Sequence, residues 1–145
     1  MAALSGVKTN SNFKAMRSFT PCPIPLPGTV SGVYKVTAKG AAITSSDVFT
    51  AVAQGLYEVT YYHVISRAAT SSSDTQLTFT WSDVSGVTQT VNATDLSNNT
   101  LGAYTQGKIV FQLESGSKLT LATTFTSAGA TAMQYSLFVT VQKLG

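Results

Sequence analysis

Charge is scarce in this sequence. Nine Lys and Arg and six Asp and Glu make up 10% of 145 residues, against about 25% in ordinary soluble domains. Cysteine occurs once, as Cys22 between Pro21 and Pro23. No disulfide can close within the chain, and no cysteine set for zinc exists. Cys22 has no basic neighbour to lower its pKa and reads as a small hydrophobe. Histidine also occurs once. A nucleophile–histidine–acid arrangement would need His63 beside Cys22 or a serine and an acid, and no such motif surrounds it. His63 falls mid-strand between Tyr61 and Ile65 and is expected to be packed in a core or an interface. There is no run of 18 apolar residues, so no membrane span is expected. There is no basic stretch leading into an apolar run, so no secretory signal is expected. The Asn-x-Thr triplets at Asn92 and Asn98 would matter only in a secreted protein.

The six acids are scattered, which argues against the carboxylate pair of a glycoside hydrolase. Asp95 with Asn92, Asn98 and Asn99 could supply oxygens, but their spacing fits no calcium loop, and an Asx-turn-rich loop is the simpler expectation. Gly116 and Gly129 read as turn glycines, not as a phosphate cradle. The expectation is therefore no enzyme, no cofactor and no metal, in a chain that folds in a cytoplasm.

Hydroxyls stand where charges are missing. Ser and Thr number 39, and the mean hydropathy is positive at +0.17. Two explanations remain open: a neutral Thr-rich β-surface, or a surface covered by partners or sister subunits. The charges present are unevenly placed. Residues 1–39 carry Lys8, Lys14, Arg17, Lys35 and Lys39 and no acid, whereas residues 40–145 hold all six acids against four cations.

Residues 1–29 read as an arm. They contain Pro21, Pro23, Pro25 and Pro27 in alternation, which favours an extended path and removes backbone donors. Phe13, Met16, Phe19, Ile24 and Leu26 suggest that the arm docks on a surface, with Lys8, Lys14 and Arg17 around them. Phe13 and Phe19 beside Lys14 and Arg17 also suit a nucleic-acid strand. Five charges over 39 residues are thin for that role, and an acidic protein surface explains them equally well.

From Val30 onward the pattern is all-β. Met133 to Gln142 alternates strictly, with Met133, Tyr135, Leu137, Val139 and Val141 on one face. Phe138 is the lone aromatic on the polar face. This C-terminal strand is expected to be central. Leu56 to Ser66 is the longest strand and carries bulk on both faces, with Tyr57, Val59, Tyr61, His63 and Ile65 on one and Leu56, Tyr62 and Val64 on the other. A strand covered on both sides is implied. Val30 to Ala38 is expected at an edge. Ala42 to Thr50, Gln76 to Trp81, Val87 to Ala93, Lys108 to Leu113 and Lys118 to Thr126 complete eight strands. Thr94 to Gln106 reads as a polar connection and Glu114 to Ser117 as a hairpin turn. Strand spacing of this kind predicts a sandwich.

Three stretches in this order resemble the tumour-necrosis-factor-like jelly roll and complement-type globular heads: Gly55-Leu56-Tyr57 opening a long aromatic strand, Val110 to Leu119 around a Gly-containing turn, and Tyr135-Ser136-Leu137-Phe138-Val139. With its Pro-rich arm and its ending Val141 to Gly145, the whole chain also resembles small virion proteins of tailed bacteriophages. The first resemblance implies a jelly-roll β-sandwich, placed over residues 30–145; the second implies a homotrimer and attachment to a major capsid protein on the outside of a phage head. The arm residues Lys8, Phe13, Lys14, Arg17, Phe19, Ile24 and Leu26 would then bind the capsid, and bulk where polarity is expected points to Tyr61, Tyr62 and Phe138 between subunits. A tail-fibre or receptor-binding tip and a non-viral ligand-binding jelly roll are the alternatives.

Overall fold

The computed structural model describes residues 30–145, an all-β antiparallel jelly-roll sandwich. Its ten strands are β1 (Val30–Lys39), β2 (Ile43–Thr50), β3 (Gly55–Arg67), β4 (Ser72–Asp74), β5 (Leu77–Ser82), β6 (Thr88–Asn92), β7 (Tyr104–Leu113), β8 (Lys118–Thr123), β9 (Thr126–Ala128) and β10 (Gln134–Lys143). Two four-stranded sheets face each other, in the orders β1-β10-β3-β7 and β2-β8-β5-β6, and β4 pairs with β9 in a small third sheet. Among the long strands only β5 and β6 form a hairpin. Every other connection carries the chain from one sheet to the other, which is the double Greek-key path of a jelly roll.

Position along the chain explains the layers. β10 is central, paired with β3 from Gln134↔Arg67 to Lys143↔Tyr57 and with β1 on its other side. The edge placement expected for the Val30 strand holds, because among the described residues β1 pairs only with β10. The inward set of β10 and β3 is fully buried: Tyr135, Leu137, Val139 and Val141 face the core with Tyr57, Val59, Tyr61, His63 and Ile65. From the opposite sheet Leu77, Phe79, Trp81, Leu119 and Leu121 meet them. Aromatic pairs tie the layers together, Tyr61 to Phe79 with centroids 5.7 Å apart and Trp81 to Phe111 at 5.3 Å. Each such pair adds about 0.5–1.5 kcal/mol beyond simple burial.

The turns follow local chemistry. Asp83 closes the β5–β6 hairpin: its carboxylate accepts from the Ser85 amide and hydroxyl, the Val87 amide and the Gln89 side chain. Those donors, Ser85 and Gln89 first, hold its pKa down to about 2. Glu114 to Ser117 is a tight turn with Gly116 at φ +85°, a conformation that suits glycine. It is not a hairpin as expected, because β7 and β8 belong to different sheets. It binds Ala51 of the neighbouring connection instead: Gly116 N–H donates to the Ala51 carbonyl at 2.7 Å, and the Ser117 carbonyl accepts from the Ala51 amide at 2.9 Å.

The ends of the sandwich differ. Val30, Gly145, residues 51–54 and the Glu114–Ser117 turn lie at one end, where Gly145 accepts from the Leu56 amide. The opposite end is interlocked around Asn99. Its Oδ1 accepts from the Ala69 amide and the Ser73 hydroxyl, both at 2.8 Å, and its Nδ2 donates to the Ala69 carbonyl.

Candidate functional site

The two outward sheet faces have opposite chemistry. The outer face of β2-β8-β5-β6 is a field of hydroxyls. Thr120, Thr80 and Thr90 stand in one registered row, and Thr78 and Thr88 flank it. The outer face of β1-β10-β3-β7 carries exposed Val33, Leu56, Tyr62, Tyr104, Val110 and Phe138.

Registry assembles the aromatic part of that face. Phe138 on β10 pairs with Tyr62 on β3 and with Lys35 on β1, and Tyr104 begins β7 opposite Val64. A strip results across the sheet. Tyr62 and Phe138 have centroids 6.4 Å apart, Tyr62 and Tyr104 5.3 Å. Lys35 Nζ lies 5.3 Å from the Phe138 centroid, within cation–π reach. Tyr62 and Phe138 are each 37% exposed and Tyr104 56%.

Below the strip the face is mixed, polar side chains alternating with exposed Val33 and Val110. A shallow depression of about 530 Å³ is lined by Thr60, Tyr62, Gln106, Lys108, Phe138 and Thr140, with Gly107 and Tyr61 at its floor. Next to it Glu58 is buried although it points outward. Its carboxylate meets Lys108 Nζ at 3.0 Å and accepts from Gln142 Nε2 at 2.9 Å. Those bonds, Lys108 first, hold its pKa below the ordinary glutamate value. The face thus offers flat aromatic surface, an amide, hydroxyls and one internally neutralised ion pair. It contains no nucleophile–base pair.

Of the three residues expected between subunits, Tyr62 and Phe138 stand together on this face. Tyr61 does not: it is 6% exposed and lies against Phe79. Period two puts it with Val59 and His63 on the inner side, so it supports the strip from beneath. Tyr104 completes the strip and was hidden in what reads as a polar connection. Lys8, Phe13, Lys14, Arg17, Phe19, Ile24 and Leu26, together with Cys22, lie outside the described residues. His63 is wholly buried. Of the loop amides considered for calcium, Asn99 is spent on Ala69 and Ser73, Asn92 accepts from Thr78, and Asn98 accepts from Thr100.

Gly107 marks where core and face meet. A β-carbon there would sit 2.6 Å from the Tyr61 hydroxyl and 2.9 Å from two of its ring carbons. The ring is walled in by Phe79 and cannot swing away cheaply. Gly107→Ala is expected to destabilise the protein by about 1–3 kcal/mol, the usual cost of overpacking, read as a lower urea midpoint with unchanged slope. An unchanged midpoint would mean that the ring has room to move.

No protein-family model and no curated relative matches the sequence. Among solved structures the fold is similar to the globular domain of a zebrafish complement 1qA protein, at 11% identity over 79% of this chain and 98% of that one, with a TM-score of 0.53. It is also similar to Eiger TNF from S. frugiperda (14% identity, 82% and 89% covered, TM-score 0.41) and to a chain of infectious bursal disease virus, Gx strain (16%, 78% and 32%, 0.39). Such identities establish the fold alone: the chain is a jelly-roll protein.

Proposed function

We propose that this chain is a non-enzymatic structural protein of a virion, a homotrimer that attaches to the outside of a tailed-phage head and stabilises it. In this reading the aromatic face of β1-β10-β3-β7 joins the subunits and residues 1–29 grip the major capsid protein. The supporting observation is the asymmetry of the two outward faces. The hydroxyl face suits water. The other carries six large apolar side chains on one sheet surface, and exposed patches of this sort mark interaction sites. Low total charge fits a protein that spends its working life in an assembly. The virion setting rests on the resemblance of arm plus jelly roll to small phage virion proteins.

A tail-fibre tip would share this architecture. Copies spread over the icosahedral lattice of purified particles support head decoration, and copies found only at the tail overturn it. The depression beside the strip favours a second reading, a ligand-binding jelly roll, because aromatic rings with amides and hydroxyls also suit a sugar ring. Light scattering of the pure protein at micromolar concentration separates the two. A mass three times that of the chain supports the structural reading. A monomer that binds a saccharide through Tyr62 supports the other.

A further inference from the structure

We propose that His63 is an acid trigger set beneath the aromatic strip, whose protonation unlatches the segment of β3, β7 and β10 that carries Tyr62, Tyr104 and Phe138 and so releases the subunits. This rests on the reading of that face as the subunit interface.

His63 is fully buried, and among the described residues neither ring nitrogen has a hydrogen-bond partner. That is unusual for a native core, where buried polar groups are almost always paired. A wholly apolar side chain of similar size would stabilise the site better. The ring stands edge-on to Tyr135, with centroids 5.1 Å apart and planes at 78°. Tyr135 cannot turn to help: its hydroxyl is bonded to Thr123 Oγ1 at 2.6 Å and donates to the Ala41 carbonyl at 3.0 Å.

Among the described residues no charge acts on the imidazole. The neighbouring strands bring Leu137 and Tyr135 from β10, Thr105 from β7, Tyr34 and Val36 from the inner side of β1, and Thr123 from β8. The inner side of β3 itself adds Tyr61 and Ile65 on either side. The titratable groups among these are phenols, which are neutral in the acid range. Glu58, on the same strand, points to the other side and is bound to Lys108. Burial alone lowers the His63 pKa from 6.5 to about 4.

The position is what couples this group to assembly. His63 pairs with Leu137 and Thr105, and the residues one step along each strand are Tyr62, Phe138 and Tyr104. A cation forced into this spot has no partner, so the three strands must part to hydrate it, and the strip parts with them.

The sign follows from linkage. The folded pKa lies below the unfolded one, so between about pH 6.5 and 4 the unfolded chain binds more protons. Stability is complete above pH 6.5 and is lost as the pH falls toward 4. The unfolding constant should rise by nearly tenfold per pH unit below pH 6.5, somewhat under 100-fold by pH 4.5.

The test uses the full chain between pH 7.5 and 4.5, following mass by light scattering and unfolding by urea. Wild type should dissociate and lose stability across the window, and His63→Phe should stay assembled and lose the steep part of the dependence between pH 6.5 and 5, leaving only the shallower carboxylate slope below it. Because the chain has one histidine, NMR of the imidazole in wild type gives a check that needs no variant: the ring must remain neutral down to the pH of dissociation. A ring that titrates near 6.5 in the intact protein overturns the trigger, as does a trimer that dissociates identically in wild type and His63→Phe. A protein already monomeric at pH 7.5 overturns the interface reading, and the release device with it.

Discussion

Replacing both Tyr62 and Phe138 by serine should turn the proposed trimer into a monomer without unfolding the chain. Both side chains lie on the outer face and are about two-thirds covered already. Full burial of a large apolar side chain is worth about 1.5–3 kcal/mol, so the part left for assembly is roughly 0.5–1 kcal/mol each. A trimer holds six such side chains, giving about 3–6 kcal/mol, or two to four orders of magnitude in the assembly constant. The fold should tolerate the change because serine is compatible with an outward β position and the inward set of β3 and β10 is untouched. Thr80→Ser on the opposite sheet serves as the control and should alter neither mass nor melting temperature. Sedimentation velocity at micromolar concentration gives the answer. A double variant that remains trimeric, or wild type that is monomeric, removes the aromatic face from its proposed role.

Much of the fold was legible because eight strands are long and amphipathic. β10 announces itself through Tyr135, Leu137, Val139 and Val141, and its inner face is buried as that alternation requires. Ser136 departs from it. It belongs to the outward set yet is buried, because its hydroxyl accepts from the Ala38 amide where β1 bulges. Strands β4 and β9 left no signal. Each has three residues, Ser72–Asp74 and Thr126–Ala128, too short and too polar for a period to show. What holds them is the contact between distant connections, which local pattern does not encode.

The candidate site was half legible. Phe138 and Tyr62 stand out as bulk on polar faces, so residue type alone points to them. Tyr104 was missed for a physical reason. Reading β7 backward from Phe111 and Ile109, the next inward positions are Gly107 and Thr105, and the apolar alternation stops there. Gly107 has no side chain because the Tyr61 ring fills its place. The strand continues, but a residue on β3 supplies its inward bulk, and no local window can see that. Tyr61 itself was ambiguous only while its face was open, since two adjacent tyrosines cannot both point outward from a regular strand.

A chain beginning at Val30 should fold with nearly the same melting temperature and bind particles at least about 100-fold more weakly. The described residues, 30–145, hold ten strands and a hydrophobic core between two sheets, so the loss should fall on attachment. Charge is the reason for placing the proposed grip on the arm. The body from Val30 carries Lys35, Lys39, Arg67, Lys108, Lys118 and Lys143 against six acids, a net of zero, while residues 1–29 carry Lys8, Lys14 and Arg17 and no acid. The chain's net +3 therefore belongs to the arm. Phe13, Phe19, Ile24 and Leu26 would fill apolar recesses on the capsid, each worth about 1.5–3 kcal/mol when buried. Ordering the segment offsets part of that gain, and four prolines reduce the offset by restricting the free chain. The three cations would sit at the rim, where exposed charges are screened over about 8 Å at physiological ionic strength. Binding of the full chain should therefore weaken as salt rises, while the residual binding of the shortened chain should not. A shortened chain that decorates particles with full affinity would move the grip to the β-body, and one that cannot fold would make the arm part of the domain.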